Sequence, residues 1–244
     1  MSVSIDVVQD PGQVCAGLML DACRTSANPQ IVLAGGSTPK AANEAFAATV
    51  RSEGIDLSGV TFWLGDERAV APDDDRSNYK MIKESLLDPL GDQAPRFHRM
   101  KGELGPEEGA ADYEQILREY APPGPPAFDL LLLGIGSDGH CASLFPGQKS
   151  LSERERLVVG VPEAGLEPFV PRISMTLPTL ARARHTVFLA TGESKAEPIA
   201  RAFGPDAEPD PATPASLLVP MAEDLSVLID EAAAAQLYFT GEPQ

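Results

Sequence analysis

Residues 128–140 read Phe-Asp-Leu-Leu-Leu-Leu-Gly-Ile-Gly-Ser-Asp-Gly-His, in which an apolar run leads directly into a glycine-rich loop. The four leucines at 130–133 make this run more continuously apolar than a strand with one face in water. We therefore expect a central parallel strand that is covered on both faces. Similar apolar runs alternate with helical patterns along the chain, and short connections join them. This alternation predicts an α/β fold, doubly wound, with a mostly parallel sheet and helices on both faces.

The individual elements are predicted from the apolar periodicity of each segment. Val14, Leu18 and Ala22 should share one face of the first helix. Residues 204–214 are rich in proline and acidic residues, which is typical of a surface loop. We expect strands at 3–8, 31–34, 60–64, 128–134, 157–161, 172–176, 186–190 and 225–229, and helices at 13–27, 39–51, 78–87, 106–120 and 195–203.

The cluster Ala-Pro-Pro-Gly-Pro-Pro at 121–126 is the strongest candidate for a domain linker. It is short, and the strand that follows it is too apolar to be an exposed edge. We therefore interpret the cluster as a rigid connection, and we predict a single domain over residues 1–244.

Charge and cysteine content limit the classes of function. The 244 residues carry a formal net charge of −17, and this field repels nucleic acid and anionic membranes. The three cysteines have no paired spacing, which indicates reduced thiols, and the N-terminus lacks a signal-peptide pattern. No apolar stretch approaches the ~20 residues of a membrane span. We expect a cytoplasmic protein that binds neither nucleic acid nor membrane.

The first candidate site is Gly35-Gly36-Ser37-Thr38-Pro39-Lys40, which follows a predicted strand. Thr38 is a suitable N-cap, and Pro39 suits the first position of a helix. Ligands of doubly wound sheets bind beyond the carboxyl ends of the strands, where the free N–H groups of a helix N-terminus attract anions. The segment is therefore either a phosphate site or an ordinary capped turn, and it matches neither a Walker loop nor GxGxxG.

The second candidate site is Gly65-Asp66-Glu67-Arg68, after the next predicted strand. Its carboxylates and guanidinium suit sugar hydroxyls or phosphate. Charged residues also end strands simply because the chain meets solvent there, so both interpretations remain open. The acidic run Asp73–Asp75 does not match a calcium loop, and we interpret it as a solvated turn.

The third candidate site is the loop that contains Gly134, Gly136 and Gly139, with Asp138 and His140 among the glycines. Glycines permit positive φ angles and close approach of the backbone to a ligand. Histidine suits proton transfer near neutral pH because its ordinary pKa is ~6.5. We predict that His140 is an acid–base centre, with Asp138 or Asp66 orienting its ring.

The remaining histidines and several other residues receive different interpretations. His98 and His185 lie at or beside predicted strands, and we expect structural roles for both. Arg172 and Lys195 should lie near strand ends, where either could balance a phosphate dianion. Cys141 follows His140 directly in sequence, and neighbours of this kind rarely face each other, so we do not expect a nucleophilic thiol.

Together, these segments resemble the 6-phosphogluconolactonases of the pentose phosphate pathway over about residues 5–230. The tail of the third site, Ala142-Ser143-Leu144-Phe145-Pro146, separates this family from the related glucosamine-6-phosphate deaminases, which share the preceding Asp-Gly-His. The segments that carry the resemblance are Gly35–Pro39, Trp63–Arg68, Ser77–Met81, Gly134–Gly147, Arg172–Thr176 and Gly192–Ala196.

The resemblance implies a Rossmann-like fold and hydrolysis of 6-phospho-D-glucono-1,5-lactone. His140 would take a proton from the attacking water and return it to the departing ring oxygen. Neither a cofactor nor a metal is implied, and the partner is the sugar-phosphate lactone, bound by a monomer or homodimer. The implied site comprises the catalytic residues His140, Asp138, Asp66 and Arg68, the phosphate-binding residues Gly35, Gly36, Ser37, Thr38, Arg172 and Lys195, and the oxyanion-loop glycines Gly136 and Gly139.

Two positions depart from the family pattern. Cys141 replaces the usual threonine, and we expect a change of packing without loss of activity. Pro198 occupies a position where the family has a good helix former. Because proline is tolerated only in the first turn, this helix should begin late or irregularly.

Two alternative functions remain. An aldose–ketose isomerase or aminosugar-phosphate deaminase on the same fold would use Asp66 to abstract a proton from carbon. A non-catalytic sugar-phosphate sensor would normally carry a helix-turn-helix, yet here the first strand is predicted at residue 3 and the charge opposes DNA binding.

Overall fold

The structure, a computed structural model, describes residues 3–24, 26–120 and 127–237. The predicted connection at 121–126 lies outside these residues. The strands are β1 (Val3–Val7), β2 (Gln30–Leu33), β3 (Thr61–Leu64), β4 (Asp66–Arg68), β5 (Arg96–His98), β6 (Phe128–Leu133), β7 (Val158–Val161), β8 (Arg172–Met175), β9 (Ala183–Ala190) and β10 (Leu225–Ile229). The helices are α1 (Pro11–Ala22), α2 (Ser37–Glu53), α3 (Asn78–Ile82), α4 (Asp88–Leu90), α5 (Pro106–Tyr120), α6 (Leu177–Leu180) and α7 (Ala196–Phe203).

Seven strands form a parallel sheet in the order β1-β10-β9-β6-β2-β3-β5. The leucine-rich strand β6 occupies its centre, and Leu130–Leu133 are at most 1% exposed. The predicted α/β class and the position of this strand are therefore confirmed. Strand β1 lies at an edge of the sheet, and three of its five side chains, Ser4, Asp6 and Val7, are exposed.

A second sheet of three antiparallel strands has the order β4-β8-β7. The sequence located β7 and β8 but not their separation from the main sheet, because the apolar pattern of a strand does not specify its partner. Helix α5 packs against β7 and β8. This sheet presents Asp66 and Arg68 on β4 beside Arg172 on β8.

The predicted face of α1 is only partly correct, since Ala22 is buried and Leu18 is half-buried but Val14 is exposed. The buried side of this helix contains Cys15, Ala16 and Met19, whereas Val14 is 41% exposed. The helix begins at Pro11, capped by the Asp10 carboxylate, which accepts a hydrogen bond from Gln13 N at 3.0 Å. It ends at Ala22 and not at residue 27.

The predicted cap of α2 is also wrong. The N-cap is Gly36, whose φ of 112° is accessible to glycine, and no side chain caps the helix. Thr38 lies inside the first turn, and its Oγ1 is 2.9 Å from Thr191 Oγ1. The N–H groups at this helix end are therefore left without a side-chain cap.

Helix α7 shows the irregular start that Pro198 predicts. A 3₁₀ turn at Glu193–Lys195 precedes it, and the α-helix itself begins at Ala196. Pro198 is thus in the first turn, where its missing N–H leaves no helical hydrogen bond unmade.

The acidic run at 73–75 lies at the surface. Asp73 and Asp75 are exposed, and Asp74 pairs with Arg76 at 2.6 Å. This agrees with the prediction of a solvated turn. Among the described residues, no helix is both long enough and apolar enough to span a membrane.

Candidate active site

A cleft of about 230 Å³ opens at the carboxyl ends of the central strands, between the two sheets. Parallel sheets bind ligands at this edge. All of the predicted site residues except Asp138 and Gly139 line the cleft. These lining residues are Gly35, Gly36, Ser37, Thr38, Asp66, Arg68, Gly136, His140, Arg172 and Lys195.

His140 and Asp138 form a hydrogen-bonded pair in the loop after β6. His140 Nδ1 lies 2.6 Å from Asp138 Oδ1, and the same oxygen accepts the backbone N–H of His140 at 3.1 Å. The His140 ring also packs against Phe145, with the ring centroids 4.5 Å apart. Since Nδ1 is committed to Asp138, Nε2 is the ring nitrogen available for proton transfer in the cleft.

Asp138 is the carboxylate that contacts the ring, whereas Asp66 and Glu67 make their hydrogen bonds elsewhere. Burial raises the pKa of the Asp138 carboxyl, but the hydrogen bond and charge of His140 outweigh it, and the pKa lies below the ordinary aspartate value. Asp138 is therefore an anion that orients the imidazole and stabilises its protonated form.

Gly136 and Gly139 shape this loop and do not present free donors. A Cβ on Gly136 would lie 2.0 Å from His140 Nδ1, so only glycine leaves room for the ring. The Gly136 N–H donates to His140 O at 2.9 Å, and the Gly139 N–H donates to Gly136 O at 3.0 Å. Both amides, which the sequence offered as oxyanion donors, are therefore engaged within the loop.

Arg68 and Arg172 are paired across the antiparallel strands β4 and β8. Arg68 Nη1 donates to the carbonyl of Arg76, while its Nε is buried and has no hydrogen-bond partner among the described residues. Burial and the charge of Arg68 lower the pKa of Arg172 to about 10. Two guanidinium groups placed together in this way favour an anion between or beside them.

Arg172 also orders the segment above the cleft. Its Nε donates to Val170 O at 3.0 Å, and its Nη2 donates to Pro168 O at 2.6 Å and to Leu166 O at 3.3 Å. Leu166 and Glu167 of this segment line the cleft. Arg172 therefore contributes both positive charge and the position of one wall.

Lys195 reaches the cleft from the 3₁₀ turn before α7. Its Nζ donates to Ile135 O at 2.6 Å, in the loop that carries the His140–Asp138 pair. Burial lowers the pKa of Lys195, and the negative charge of Asp138 opposes this shift. The side chain thus places a cation between the loop and the open cleft.

The N-terminus of α2 forms another wall. Gly36, Ser37 and Thr38 line the cleft at the start of this 17-residue helix, which no side chain caps. Free N–H groups and the helix dipole make this end attractive to an anion.

Glu67 has a structural role at the N-terminus of α3. Its buried carboxylate accepts hydrogen bonds from the backbone N–H groups of Arg68, Asn78 and Tyr79 and from the Ser77 hydroxyl. Burial raises the pKa of Glu67, and these four hydrogen bonds act in the opposite direction.

Asn78 and Ser143 are important residues to which the sequence assigned no role. Asn78 lines the cleft, and its Nδ2 donates to Asp66 O at 3.0 Å and to Asp66 Oδ1 at 3.3 Å. Ser143 Oγ donates to Asp66 Oδ2 at 2.6 Å. Both residues lie in segments that carry the family resemblance, and this was the signal that could have identified them.

The remaining predicted residues lie outside the cleft. His98 stacks on Trp63 with ring centroids 4.3 Å apart, and His185 Nε2 is 2.8 Å from Ser226 Oγ. Burial raises the pKa of the Cys141 thiol to about 12, which opposes thiolate chemistry. In the described part of the chain, no three His, Cys, Asp or Glu side chains are grouped as metal ligands would be.

The chain is similar to known proteins both in sequence and in structure. Residues 5–227 match the family described as glucosamine-6-phosphate isomerases/6-phosphogluconolactonase. The 6-phosphogluconolactonase of Mycobacterium leprae is 36% identical over 248 residues, covering 96% of this chain and 98% of that protein. The structure of 6-phosphogluconolactonase from Trypanosoma brucei superposes with a TM-score of 0.79 at 28% identity, covering 97% and 99% of the two chains.

A solved monomeric glucosamine-6-phosphate deaminase is also similar, with a TM-score of 0.81 and 20% identity over 97% of this chain and 100% of that one. At this identity the likeness shows the fold alone. The chemistry must therefore be argued from the cleft, which is lined by an oriented histidine, two arginines, a lysine and a helix N-terminus.

Proposed function

The chain belongs to the glucosamine-6-phosphate isomerase/6-phosphogluconolactonase family, and we propose that it hydrolyses 6-phospho-D-glucono-1,5-lactone to 6-phospho-D-gluconate in the oxidative pentose phosphate pathway. The observation that carries the proposal is the His140–Asp138 pair, which turns one imidazole nitrogen toward a cationic cleft. Hydrolysis of a phosphorylated lactone is assisted by a base near the carbonyl group and by a separate set of groups that bind the phosphate.

His140 acts first as a general base. Nε2 accepts a proton from water as the water oxygen attacks the lactone carbonyl, and Asp138 stabilises the imidazolium that forms. The tetrahedral intermediate then breaks its bond to the ring oxygen, which receives the proton from His140. The proton is thereby returned, and the products are a carboxylic acid and a hydroxyl group of the open sugar acid. Acid–base assistance of this kind contributes about 10²–10⁴-fold.

Arg68 is the proposed donor to the tetrahedral oxyanion. Its Nε is buried without a partner among the described residues, and Nη1 is fixed by the carbonyl of Arg76. A donor that is already oriented needs little reorganisation when charge develops on the carbonyl oxygen. The Gly136 and Gly139 amides, by contrast, are engaged within their own loop.

The phosphate group is proposed to bind between the α2 N-terminus, Lys195 and Arg172. Ser37, Thr38 and the N–H groups of the α2 N-terminus supply hydrogen bonds, while Lys195 and Arg172 supply charge. This arrangement would fix the distance between the phosphate and the carbonyl that reacts with water.

A deaminase or isomerase is the second enzyme reaction compatible with this fold. It would require Asp66 as a base toward carbon. Both carboxylate oxygens of Asp66 already accept hydrogen bonds, from Asn78 and from Ser143. This engagement favours lactone hydrolysis over proton abstraction from carbon.

The proposal is tested by replacing His140 with alanine and measuring 6-phosphogluconate formation above the spontaneous rate. We expect a loss of about 10²–10⁴-fold. His185→Gln is the matched control, because His185 is bonded to Ser226 near the amino end of β10. The same preparations are incubated with glucosamine 6-phosphate, and no ammonia should appear. Near-parental hydrolysis by folded His140→Ala would contradict the mechanism, and ammonia release by the parent would favour the deaminase.

A further inference from the structure

Ser143 joins the His140 loop to the second sheet. It lies three residues after His140, is fully buried, and does not line the cleft. Its Oγ donates to Asp66 Oδ2 at 2.6 Å, and its backbone N–H donates to Ser174 Oγ at 3.2 Å. Asp66 and Ser174 are register partners on β4 and β8. One residue of the loop is thus held by two neighbouring residues of the other sheet.

Asp66 is fixed from its other side by Asn78. The Asn78 amide donates to both the backbone oxygen and Oδ1 of Asp66, which is only 7% exposed. A buried carboxylate is stable only when its oxygens accept hydrogen bonds. Ser143 supplies the donor for Oδ2, so removing its hydroxyl would leave that oxygen without this bond.

The turn between His140 and Ser143 needs such an anchor. Ala142 has a φ of 49°, in the left-handed region that a residue with a side chain rarely adopts. The turn is closed by a hydrogen bond from Leu144 N to Cys141 O at 3.0 Å, and the next residue, Phe145, packs on the His140 ring. The strained turn therefore connects the Ser143 anchor with the position of the imidazole.

We propose that Ser143 is a positioning residue, which ties the loop of His140 to Asp66 and makes Asp66 a fixed hydrogen-bond acceptor in place of a base. This inference rests on the proposed hydrolysis by His140. Ser143 acts through the turn, because it does not line the cleft. Its loss should therefore affect the rate of the chemical step more than the binding of the lactone.

The test compares Ser143→Ala, Asp66→Asn and the double variant with the parent chain. We expect kcat for lactone hydrolysis to fall by about 10- to 100-fold in each single variant, because a displacement near 1 Å can cost about 10²-fold. KM should change less than threefold, and the pH profile of kcat/KM should keep its shape. The double variant should lose no more than the more impaired single variant, since Ser143→Ala removes the donor and Asp66→Asn the charged acceptor of the same bond.

Ser226→Ala is the matched control, because Ser226 is also a mostly buried, hydrogen-bonded serine but lies at the amino end of β10. It should retain parental kcat and KM. Labelling of the Cys141 thiol, mapped by peptide mass, gives a second readout that does not depend on activity. Cys141 is fully buried in the turn, so it should react faster in Ser143→Ala and Asp66→Asn than in the parent or Ser226→Ala.

Three results would overturn the inference. The first is unchanged kcat in Ser143→Ala, and the second is additive losses in the double variant, which would mean that Asp66 acts on the substrate by itself. The third is unchanged labelling of Cys141, which applies even if the parent chain does not hydrolyse the lactone. Inactivity of the parent contradicts the proposed function, whereas these three results contradict only the role of Ser143.

Discussion

At the residue scale, the cleft depends on two positions where a side chain would collide with a functional group. A Cβ on Gly35 would lie 1.9 Å from Asn78 Oδ1, and a Cβ on Gly136 would lie 2.0 Å from His140 Nδ1. The sequence identified both glycines but suggested contact with a ligand. Their actual neighbours are side chains from the same site, which glycine content alone does not reveal.

Sequence analysis assigned no role to Asn78 and Ser143 because their shared partner is distant in the chain. Each donates to Asp66, from 12 and 77 residues away in the chain respectively. The contact of His140 with Asp138 was one of two that the sequence left open, and Asp138 is only two residues away in the same loop. Local spacing predicts local pairs, whereas contacts between β4 and distant loops depend on the arrangement of the second sheet.

Gly136→Ala should separate His140 from Asp138. The added methyl group would also lie 2.5 Å from Asp138 Oδ1, so the pair cannot keep its geometry. We expect kcat to fall by about 10²–10⁴-fold, the range attributed to acid–base catalysis. Steady-state lactone hydrolysis measures the effect, and circular dichroism verifies that the variant is folded.

Asp138→Ala is the matched variant for this experiment. It removes the partner of Nδ1 without adding an atom beside the ring, and its loss of kcat should be of the same order. If folded Gly136→Ala kept more than half of the parental kcat, the close contact with His140 would not limit catalysis.

At the element scale, the main sheet was more predictable than its surroundings. A strand such as β6 is buried on both faces, and its near-continuous apolar run distinguishes it from half-exposed strands and helices. The face of α1 was only partly correct because Ala22 is buried, whereas Val14 is apolar yet exposed beside the buried side. The predicted cap of α2 was wrong because Gly36, with a φ of 112°, is the N-cap. The helix therefore begins at Ser37, one residue before Thr38.

The contact between α5 and the second sheet depends on Gly109. A Cβ there would lie 2.4 Å from Ile173 Cδ1 on β8 and 2.9 Å from Lys101 O. Gly109→Ala should therefore overpack this contact and lower the free energy of unfolding by roughly 1–3 kcal/mol. For a chain of this size, the expected decrease in Tm is about 2–4 °C per kcal/mol.

Gly17→Ala is the matched control in α1, where a Cβ would meet no atom within 4 Å. Alanine favours the helix there, so we expect a gain of roughly 0.5–1 kcal/mol. Thermal and urea unfolding measure both variants. Equal effects of the two substitutions would mean that helix propensity, and not the contact with Ile173, determines the result at Gly109.

At the scale of the whole molecule, the cleft is assembled from two sheets. The main sheet contributes the α2 N-terminus, the His140 loop and Lys195, while the second sheet contributes Asp66, Arg68 and Arg172. The chain has a formal net charge of −17, yet Arg68, Arg172 and Lys195 all line this cleft. Composition predicted the repulsion of polyanions but could not predict this local reversal of charge, because it arises only when distant segments meet.

A phosphorylated ligand that spans the cleft should therefore stabilise the fold as a whole. At 100 times its dissociation constant, 6-phosphogluconate should add about 2.7 kcal/mol to the free energy of unfolding. This corresponds to an increase in Tm of roughly 5–10 °C, at about 2–4 °C per kcal/mol. Gluconate at the same concentration should have little effect, because it lacks the phosphate that we propose the cations and the α2 N-terminus bind. Lys195→Ala should reduce the increase, whereas Arg118→Ala, which removes an exposed cation outside the cleft, should preserve it. If gluconate and 6-phosphogluconate raised Tm equally, the cations of the cleft would not bind the phosphate, and their convergence would need another explanation.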